Sequence, residues 1–407
     1  MIQQYLTYSV TTQYTTVFQT PQNFPAITIC NLYPFNFSTP ALLAFYNNIL
    51  IANGLSSTIT PTNTNPGIEQ IRIIRDFLKA QIIANSSGIY TKTYIESIGY
   101  TYSDLVISCY YNELQCFSGD FTWFFDYNYG NCYTFNANSS SVKKISNAGP
   151  MYGLQLELFT GIPGTQDYYT DERGIYLAVT TSGTTPVTSY TGVKLPVSQA
   201  TNIKISQTSI TNLPAPFSAC RQDVSTLLSS DNSIYKRTLQ LNTYSIPLCY
   251  DLCLQSLFIV PKCNCSDPSL PLFDTSTIIC KTLIKLKCAK STKDTFDNTP
   301  LSTTCANYCP TPCNNYKYDT TQSSSGYPND YYFTNVIAKT PLILNKFQSY
   351  LTANSLSTIT QAKSQVVSSI LKVNVFLNDL TYVTLVDSPT ISLATLFSSV
   401  GKIILLT

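Results

Sequence analysis

Fourteen cysteines among 407 residues constrain this chain more than any other feature, because ten of them lie between Cys220 and Cys313. Clustered cysteines in even number indicate disulfides outside the cell and metal ligands in a reducing cytosol. The spacings Cys263-Asn-Cys265 and Cys309-Pro-Thr-Pro-Cys313 fit poorly to the paired CxxC-like knuckles of a four-cysteine zinc site. We therefore expect disulfides and no bound metal, although counting alone leaves their connectivity open.

Cross-links at this density would stiffen the block of residues 220–313. Each disulfide stabilises a fold by about 2–4 kcal/mol, chiefly by restricting the unfolded chain. Ten cysteines in this block allow five bonds and predict a stiff rod. A lever that transmits force and a static stalk both fit that description.

The chain contains no histidine, which excludes Ser-His-Asp and Cys-His catalysis and every His-ligated zinc site. It has no carboxylate pair and no glycine-rich phosphate loop in a convincing context, so the sequence does not indicate an enzyme and no cofactor is expected. The formal net charge is only +2, which gives no basis for a nucleic-acid partner.

Four Asn-X-Ser sequons support an extracellular location, because such sequons are glycosylated in secreted proteins. The acceptor residues are Asn36, Asn85, Asn138 and Asn264. Neither end of the sequence supplies a complete membrane segment. Met1 to Tyr14 is polar and aromatic, and the apolar residues after Ile391 are interrupted by Lys402 before the roughly 18–20 residues that cross a bilayer are reached.

Local patterns predict a chain with both helices and strands. Apolar residues at helical spacing predict helices over residues 40–54 and 68–84. Alternating apolar and polar residues predict half-buried strands over Gly153–Phe159, Gly174–Thr180, Thr201–Ser206 and Leu371–Leu377. The aromatic run Phe121–Tyr127 fits a packed strand core better than a ligand platform.

Several motifs resemble those of one channel family. Phe24-Pro-Ala-Ile-Thr-Ile-Cys-Asn-Leu32 is similar to the signature after the first membrane helix of the degenerin/epithelial sodium channel (DEG/ENaC) family. Gly130-Asn-Cys-Tyr-Thr-Phe-Asn136 resembles the family's G-x-C-Y-T-F-N motif. Further matches follow in order: Asp104–Cys109 with Cys116 and Phe121, Gly153–Leu158, Tyr244 with Cys249 and Cys253, Cys263 with Cys265, and Cys309 with Cys313. The resemblance runs from about residue 5 to residue 401 and is closest to acid-sensing and invertebrate peptide-gated members.

The resemblance implies an α+β fold shaped like a clenched hand, with three copies around a pore. The implied parts are a wrist and palm strand at 1–20, the start of palm and β-ball at 21–39, finger and β-ball at 40–132, β-ball and upper palm at 133–212, a disulfide-rich helical thumb at 213–320, a knuckle and palm connection at 321–370, a lower palm strand leading to the pore at 371–390, and the truncated start of a second membrane helix at 391–407.

The resemblance also implies a disulfide pairing and a coupling contact. The implied pairs are Cys30–Cys132, Cys109–Cys116, Cys220–Cys313, Cys249–Cys309, Cys253–Cys305, Cys263–Cys288 and Cys265–Cys280. In the family, a tyrosine after the first membrane helix packs against a tryptophan just before the first thumb cysteine. Tyr8 lies at the tyrosine position, and Phe217 takes the place of the tryptophan, keeping an aromatic face but lacking the indole N–H.

Acid-sensing members place carboxylates of finger and thumb together, which raises one pKa toward neutrality. Asp171 and Glu172 resemble the finger half of that pocket, and Asp294 lies in the thumb half. Lys290 stands at the first thumb position, where it would lower the pKa of the finger acids instead. The family's His and Glu positions after the first membrane helix hold Ser9, Thr15 and Thr16. We therefore expect that mild acid is not the main trigger.

The resemblance implies the extracellular domain of an amiloride-sensitive-type, ligand-gated, sodium-selective channel subunit at the plasma membrane. Its expected partners are two further subunits, sodium ions in a pore that this sequence lacks, an extracellular peptide, and the membrane through flanking helices. Another ligand, mechanical load and constitutive opening remain alternatives to a peptide. The alternative function is a secreted ligand-binding protein derived from such a domain, and flanking apolar segments of about 20 residues in the gene would separate the two.

Overall fold

The computed structural model describes residues 2–36, 40, 42–44, 47–48, 79–80, 92–163, 172–187, 191–241, 243–274 and 277–404. These residues form a mixed α+β fold with three β-sheets. The strands are β1 Val10–Phe18, β2 Gln22–Asn23, β3 Ala26–Asn31, β4 Val106–Tyr111, β5 Leu114–Gln115, β6 Phe121–Asp126, β7 Gly130–Phe135, β8 Lys144–Ile145, β9 Leu154–Phe159, β10 Gly174–Thr180, β11 Val193–Pro196, β12 Gln199–Thr211, β13 Asn314–Gly326, β14 Ile370–Leu377 and β15 Thr381–Pro389.

The helices lie mainly in the second half of the described chain. They are α1 Ile2–Tyr5, α2 Lys92–Ile98, α3 Tyr102–Leu105, α4 Ser233–Leu241, α5 Ile246–Cys253, α6 Val260–Cys263, α7 Leu283–Asp297, α8 Leu301–Ala306, α9 Asp330–Asn335, α10 Pro341–Ala353, α11 Lys363–Val367 and α12 Leu393–Ile404. A π-helical stretch, Leu254–Ile259, joins α5 to α6. Two 3-10 turns lie at Ser118–Asp120 and Ile337–Lys339.

The four predicted strands are confirmed, since β9, β10, β12 and β14 cover them. The prediction that the strand Gly153–Phe159 is half-buried is wrong, because Glu157 and Phe159 on its second face are covered as well. Phe347 of α10 packs edge-to-face on Phe159, so helices that follow β13 cover this face. The helices predicted over 40–54 and 68–84 lie mostly outside the described residues, and the described positions there are helical.

The eight-stranded sheet is organised around β12. Its strand order is β1-β15-β12-β14-β9-β4-β5, and β13 pairs with β12 along all thirteen residues. The first half of β12 runs parallel to β14, and its second half runs parallel to β15. Strand β12 therefore links the packed part of the sheet, at β14, to the antiparallel pair β1 and β15 near the two ends of the described chain.

The five-stranded sheet, in the order β11-β10-β3-β7-β6, packs one face on the larger sheet. Ile27 and Ile29 of β3 point into this shared core, as the two-residue period of a strand requires. The disulfide Cys30–Cys132 lies on the opposite face. Gly130 begins β7 with φ +71°, and a Cβ atom there would clash with the carbonyl of Pro34, which explains why this position is glycine.

One helix in the described part of the chain is long and apolar enough to cross a bilayer, judged by length and composition alone. It is the continuous 18-residue helix Ile246–Cys263, and 44% of it is buried inside the protein. Cys249, Cys253 and Cys263 within it are disulfide-bonded. The bonds and the buried face identify it as a packing helix of the disulfide-rich region.

Candidate functional site

All fourteen cysteines form disulfides, and the seven bonds join the same pairs that the resemblance implies. They are Cys30–Cys132, Cys109–Cys116, Cys220–Cys313, Cys249–Cys309, Cys253–Cys305, Cys263–Cys288 and Cys265–Cys280. The last five are nested, because each successive bond closes a shorter loop inside the previous one. We call residues 220–313 the disulfide-rich region.

The disulfide-rich region is attached to the large sheet at its root. Cys220–Cys313 joins its first and last residues, and Cys313 accepts a hydrogen bond of 2.8 Å from the backbone N–H of Asn212, just after β12. Arg221 forms backbone hydrogen bonds to Thr311 (2.8 Å) and from Cys313 (2.9 Å). The region therefore leaves the sheet and returns to it at one covalently closed point, between the end of β12 and the start of β13.

The loop 212–219 carries an aromatic side chain from this root to the first strand. The rings of Tyr8 and Phe217 lie edge-to-face, with centroids 5.7 Å apart and an interplanar angle of 86°. Both side chains are half-buried. Tyr8 lies two residues before β1 and has a left-handed backbone, with φ 51°. The structure thus brings together the two residues that the sequence selects as a coupling contact.

We call β1 and β15 the terminal ribbon. Nine residue pairs align them antiparallel, from Val10 with Pro389 to Phe18 with Thr381. The Thr12 hydroxyl donates to the Asp387 carboxylate at 2.7 Å. Helix α12 begins shortly after β15, and its Phe397 is 70% exposed. Both ends of the described chain therefore emerge side by side next to the Tyr8–Phe217 contact.

Ser9, Thr15 and Thr16 belong to this ribbon or to its edge. The carbonyl of Ser9 accepts from the backbone N–H of Thr390 at 2.9 Å, and the carbonyl of Thr15 accepts from the hydroxyl of Thr384 at 3.2 Å. These backbone contacts hold the ribbon together, and the hydroxyl side chains at these positions do not titrate in the physiological range.

Arg221 makes contacts that the sequence did not predict. Its guanidinium forms two bonds to the Asp231 carboxylate, at 2.6 and 3.0 Å, and lies 4.4 Å from the ring centroid of Tyr235. The hydrogen bond from Arg221 lowers the pKa of Asp231. Arg221 therefore fastens the root, one residue after Cys220, to helix α4. Nothing in the local sequence marks this pair, because an arginine after a cysteine has no fixed role.

Glu157 is a second site that the sequence missed. Its side chain is 5% exposed and accepts hydrogen bonds from Tyr327 (2.9 Å), Tyr332 (2.6 Å) and Ser108 (2.8 Å). In the described part of the chain it has no ion-pair partner. Burial and the neighbouring Glu157 raise the pKa values of both tyrosines. The carboxylate therefore ties β9 and β4 to the segment that follows β13.

The structure describes two of the three acids predicted to form a pocket, Glu172 and Asp294. Glu172 forms an ion pair with Lys194 of β11, and Asp294 lies exposed on α7, one turn after Lys290. Asp171 lies outside the described residues. Elsewhere in the disulfide-rich region, burial raises the pKa of Asp267, whose carboxylate accepts hydrogen bonds from Ser269.

The sequons occupy different environments. Asn36 is half-buried, Asn138 lies exposed in the loop after β7, and Asn264 lies exposed at the end of α6 with φ 51°. Asn85 lies outside the described residues. The aromatic run is a strand, as expected: Trp123 of β6 packs against the core between the sheets and donates its indole N–H to Asn131 at 3.1 Å.

The comparisons agree with the geometry. The family model described as "Amiloride-sensitive sodium channel" matches residues 1–406. The chain is 26% identical over 348 residues to the degenerin-like protein asic-2 of Caenorhabditis elegans, covering 82% of this chain and 62% of that protein. It is 27% identical over 308 residues to the epithelial sodium channel subunit gamma of Neoceratodus forsteri, covering 75% and 43%.

A third relative is named for its ligand. The chain is 26% identical over 261 residues to the FMRFamide-activated amiloride-sensitive sodium channel of Cornu aspersum, covering 62% of this chain and 38% of that protein. The chain thus spans less than two thirds of the length of each of these three relatives.

Proposed function

Because the chain belongs to the amiloride-sensitive sodium channel (DEG/ENaC) family, whose members are ion channels and not enzymes, we propose that it forms the extracellular part of a sodium-selective channel subunit at the plasma membrane. The observation that carries this proposal is the terminal ribbon and its contact with Phe217. The ribbon brings both ends of the described chain to one place, as a domain inserted between two membrane helices requires. Seven disulfides suit an extracellular location.

The parts of the clenched hand would follow the boundaries given above. Residues 213–320, which contain the disulfide-rich region, would be the thumb, the large sheet would be the palm, and residues 321–370 would be the knuckle and its palm connection. Three copies would surround the pore, which flanking helices would form. The terminal ribbon supports assembly, because β1 is an edge strand of the large sheet and its Tyr14 and Phe18 side chains are 69% and 67% exposed. Neighbouring subunits would cover it.

Gating would proceed by transmission of thumb movement to the ribbon. The nested disulfides prevent the thumb from absorbing a displacement by bending, so a push at its far end reaches its root at Cys220–Cys313. Phe217 lies in the loop at that root and contacts Tyr8, which precedes β1. A shift of the root would therefore move β1, its partner β15, and the membrane helices that both strands approach.

The stimulus would be an extracellular ligand rather than mild acid. The chain has no histidine, and Glu172 is paired with a lysine. The relative activated by FMRFamide makes a short peptide the first ligand class to test. Asp171, Glu172 and Asp294 would then serve as structural or ligand-contacting acids rather than as proton sensors.

The test is a recording from the full-length gene product that contains this chain. Cells expressing it should show sodium currents that amiloride blocks, either at rest or on application of amidated peptides. Surface labelling of the same cells should detect the protein outside the membrane. Surface protein without any cation current, across a panel of peptides and pH values and with mechanical load, would contradict the channel proposal.

A further inference from the structure

The loop 136–143, after β7, is held rigidly at both ends. The Asn136 side chain donates to the carbonyl of Phe24 at 2.6 Å and accepts from the backbone N–H of Lys143 at 2.8 Å. Between these anchors, the carbonyl of Ala137 accepts from the backbone N–H of Gly183 at 2.7 Å. Asn138 follows at once and is exposed. The loop therefore presents Asn138 in a fixed position on the surface.

The amide of Asn138 is arranged as a glycosylation acceptor. Its Oδ1 atom accepts hydrogen bonds from the backbone N–H of Ser140 at 2.9 Å and from the Ser140 hydroxyl at 2.7 Å. Ser140 is the hydroxyl residue that the sequon Asn138-Ser139-Ser140 requires. Because both bonds use the oxygen, the Nδ2 atom stays available at the surface of the folded protein.

A groove of about 370 Å³ adjoins this amide. Asn138 forms part of its lining, together with Thr122 and Phe124 of β6, Thr134 of β7, and Thr184 and Thr185 of the turn after β10. The groove is free of charged side chains along its described lining. An aromatic ring among threonine hydroxyls suits a neutral sugar, whose C–H face packs on a ring while its hydroxyls exchange hydrogen bonds.

The sequon at Asn264 lacks this arrangement. Its hydroxyl residue, Ser266, is 1% exposed, and the Oγ atom has no hydrogen-bond partner in the described structure. The middle residue, Cys265, is bonded to Cys280. Once this disulfide forms, it constrains the backbone next to Asn264, and the Ser266 side chain is buried in the protein. The sequons at Asn138 and Asn264 are both of the Asn-X-Ser type, so the difference between these two lies in structure.

We propose that Asn138 carries an N-linked glycan and that the first sugar of this glycan lies in the groove beside Phe124. A bond forms between Nδ2 of Asn138 and C1 of the sugar while the bond from C1 to a lipid diphosphate donor breaks. The lipid diphosphate leaves, and the amide proton passes to a base of the transferring enzyme. This inference rests on the extracellular location in the proposed function, because the donor is supplied in the secretory pathway.

Site occupancy is tested on the full-length protein from animal cells. Removal of glycans by peptide N-glycosidase in ¹⁸O water converts each occupied asparagine to labelled aspartate, which mass spectrometry of peptides locates. We expect label at Asn138 in most molecules and little at Asn264. Ser140→Ala should abolish the label at Asn138, Ser140→Thr should preserve or raise it, and the matched control Ser139→Ala should leave it unchanged. An unlabelled Asn138 overturns the proposal.

The position of the first sugar in the groove is tested by the rate at which peptide N-glycosidase releases the glycan from native protein. A sugar held against Phe124 should be released several-fold more slowly from native than from denatured protein. Phe124→Ala should remove that delay. Since Phe124 also packs against the Cys30–Cys132 cluster, Thr122→Tyr provides a second variant, which fills the groove from an exposed position. If the glycan is released at equal rates from wild type and both variants, the first sugar does not lie in the groove.

The outcomes separate this inference from the proposed function. Disulfide-bonded surface protein with sugar at other sequons and none at Asn138 overturns the inference alone. Protein with free thiols and no sugar at any sequon overturns the extracellular location, and the inference with it.

Discussion

Removing the hydroxyl of Tyr327 should destabilise the protein more than removing that of Tyr332, although both donate to the same carboxylate oxygen of Glu157. A hydrogen bond to a charged group contributes about 1.5–3 kcal/mol to stability. Tyr327 is 8% exposed, so water cannot replace its bond, and Tyr327→Phe should cost about 3 kcal/mol. Tyr332 is half-buried, and Tyr332→Phe should cost about 1.5 kcal/mol.

Thermal unfolding measures the difference. At roughly 2 °C per kcal/mol for a large domain, the melting temperature should fall by about 6 °C for Tyr327→Phe and about 3 °C for Tyr332→Phe. Tyr331→Phe is the matched control, because Tyr331 lies on α9 beside Tyr332 and is 78% exposed. In the background Glu157→Leu, the Tyr327→Phe change should become nearly neutral, since no buried acceptor is left unpaired.

If Tyr327→Phe lowers the melting temperature equally with and without the carboxylate of Glu157, the hydroxyl acts through some other contact. Equal effects of Tyr331→Phe and Tyr327→Phe would likewise show that burial does not decide the size of the loss.

Three further perturbations probe other parts of the account. Replacing Cys249 and Cys309 by serine should cost about 2.5 kcal/mol by the loop-entropy relation, measured by denaturant unfolding, because the intact bond Cys253–Cys305 leaves a closed loop of only about ten residues between the two bonds; a loss below about 1 kcal/mol would contradict it. Because Arg221 lowers the pKa of Asp231, the stability from this pair is present above the ordinary aspartate pKa, near 4, and is lost as pH falls below it. Asp231→Asn should therefore flatten the fall in melting temperature below about pH 4, and an unchanged acid profile would count against the pair. Stepping the full-length channel from neutral pH to about pH 6 should evoke no large current, since the chain has no histidine, the side chain whose ordinary pKa lies in that range; robust acid currents abolished by Asp267→Asn would instead assign proton sensing to that buried carboxylate.

Sequence patterns predicted where the strands lie better than they predicted which strand faces are buried. Alternation located β9 correctly but implied that Glu157 faces water, because periodicity reports one covered face and is blind to what covers the other. The cover comes from residues about 170 positions later, where Tyr327 and Tyr332 donate to the carboxylate. A strand with helices packed on its second face cannot be recognised from its own residues.

The disulfide pairing and the Tyr8–Phe217 contact came from the resemblance rather than from spacing. Cysteine counting left the pairs open, whereas family motifs assigned each of them. The pair Arg221–Asp231 had no such guide, since the two lie ten positions apart in a loop and only the folded root brings them together. The choice among sequons also required coordinates, because the Ser140 hydroxyl and the buried Ser266 hydroxyl are equivalent in sequence.

The most direct test of the central claim is a double-mutant cycle on the gating of the full-length channel. Wild type, Tyr8→Leu, Phe217→Leu and the double variant are compared by the stimulus concentration for half-maximal current. An edge-to-face ring pair contributes about 0.5–1.5 kcal/mol beyond burial, which corresponds to a roughly two- to tenfold non-additivity. Non-additivity of this size is the predicted result. Additive effects of the two substitutions would contradict transmission through this contact.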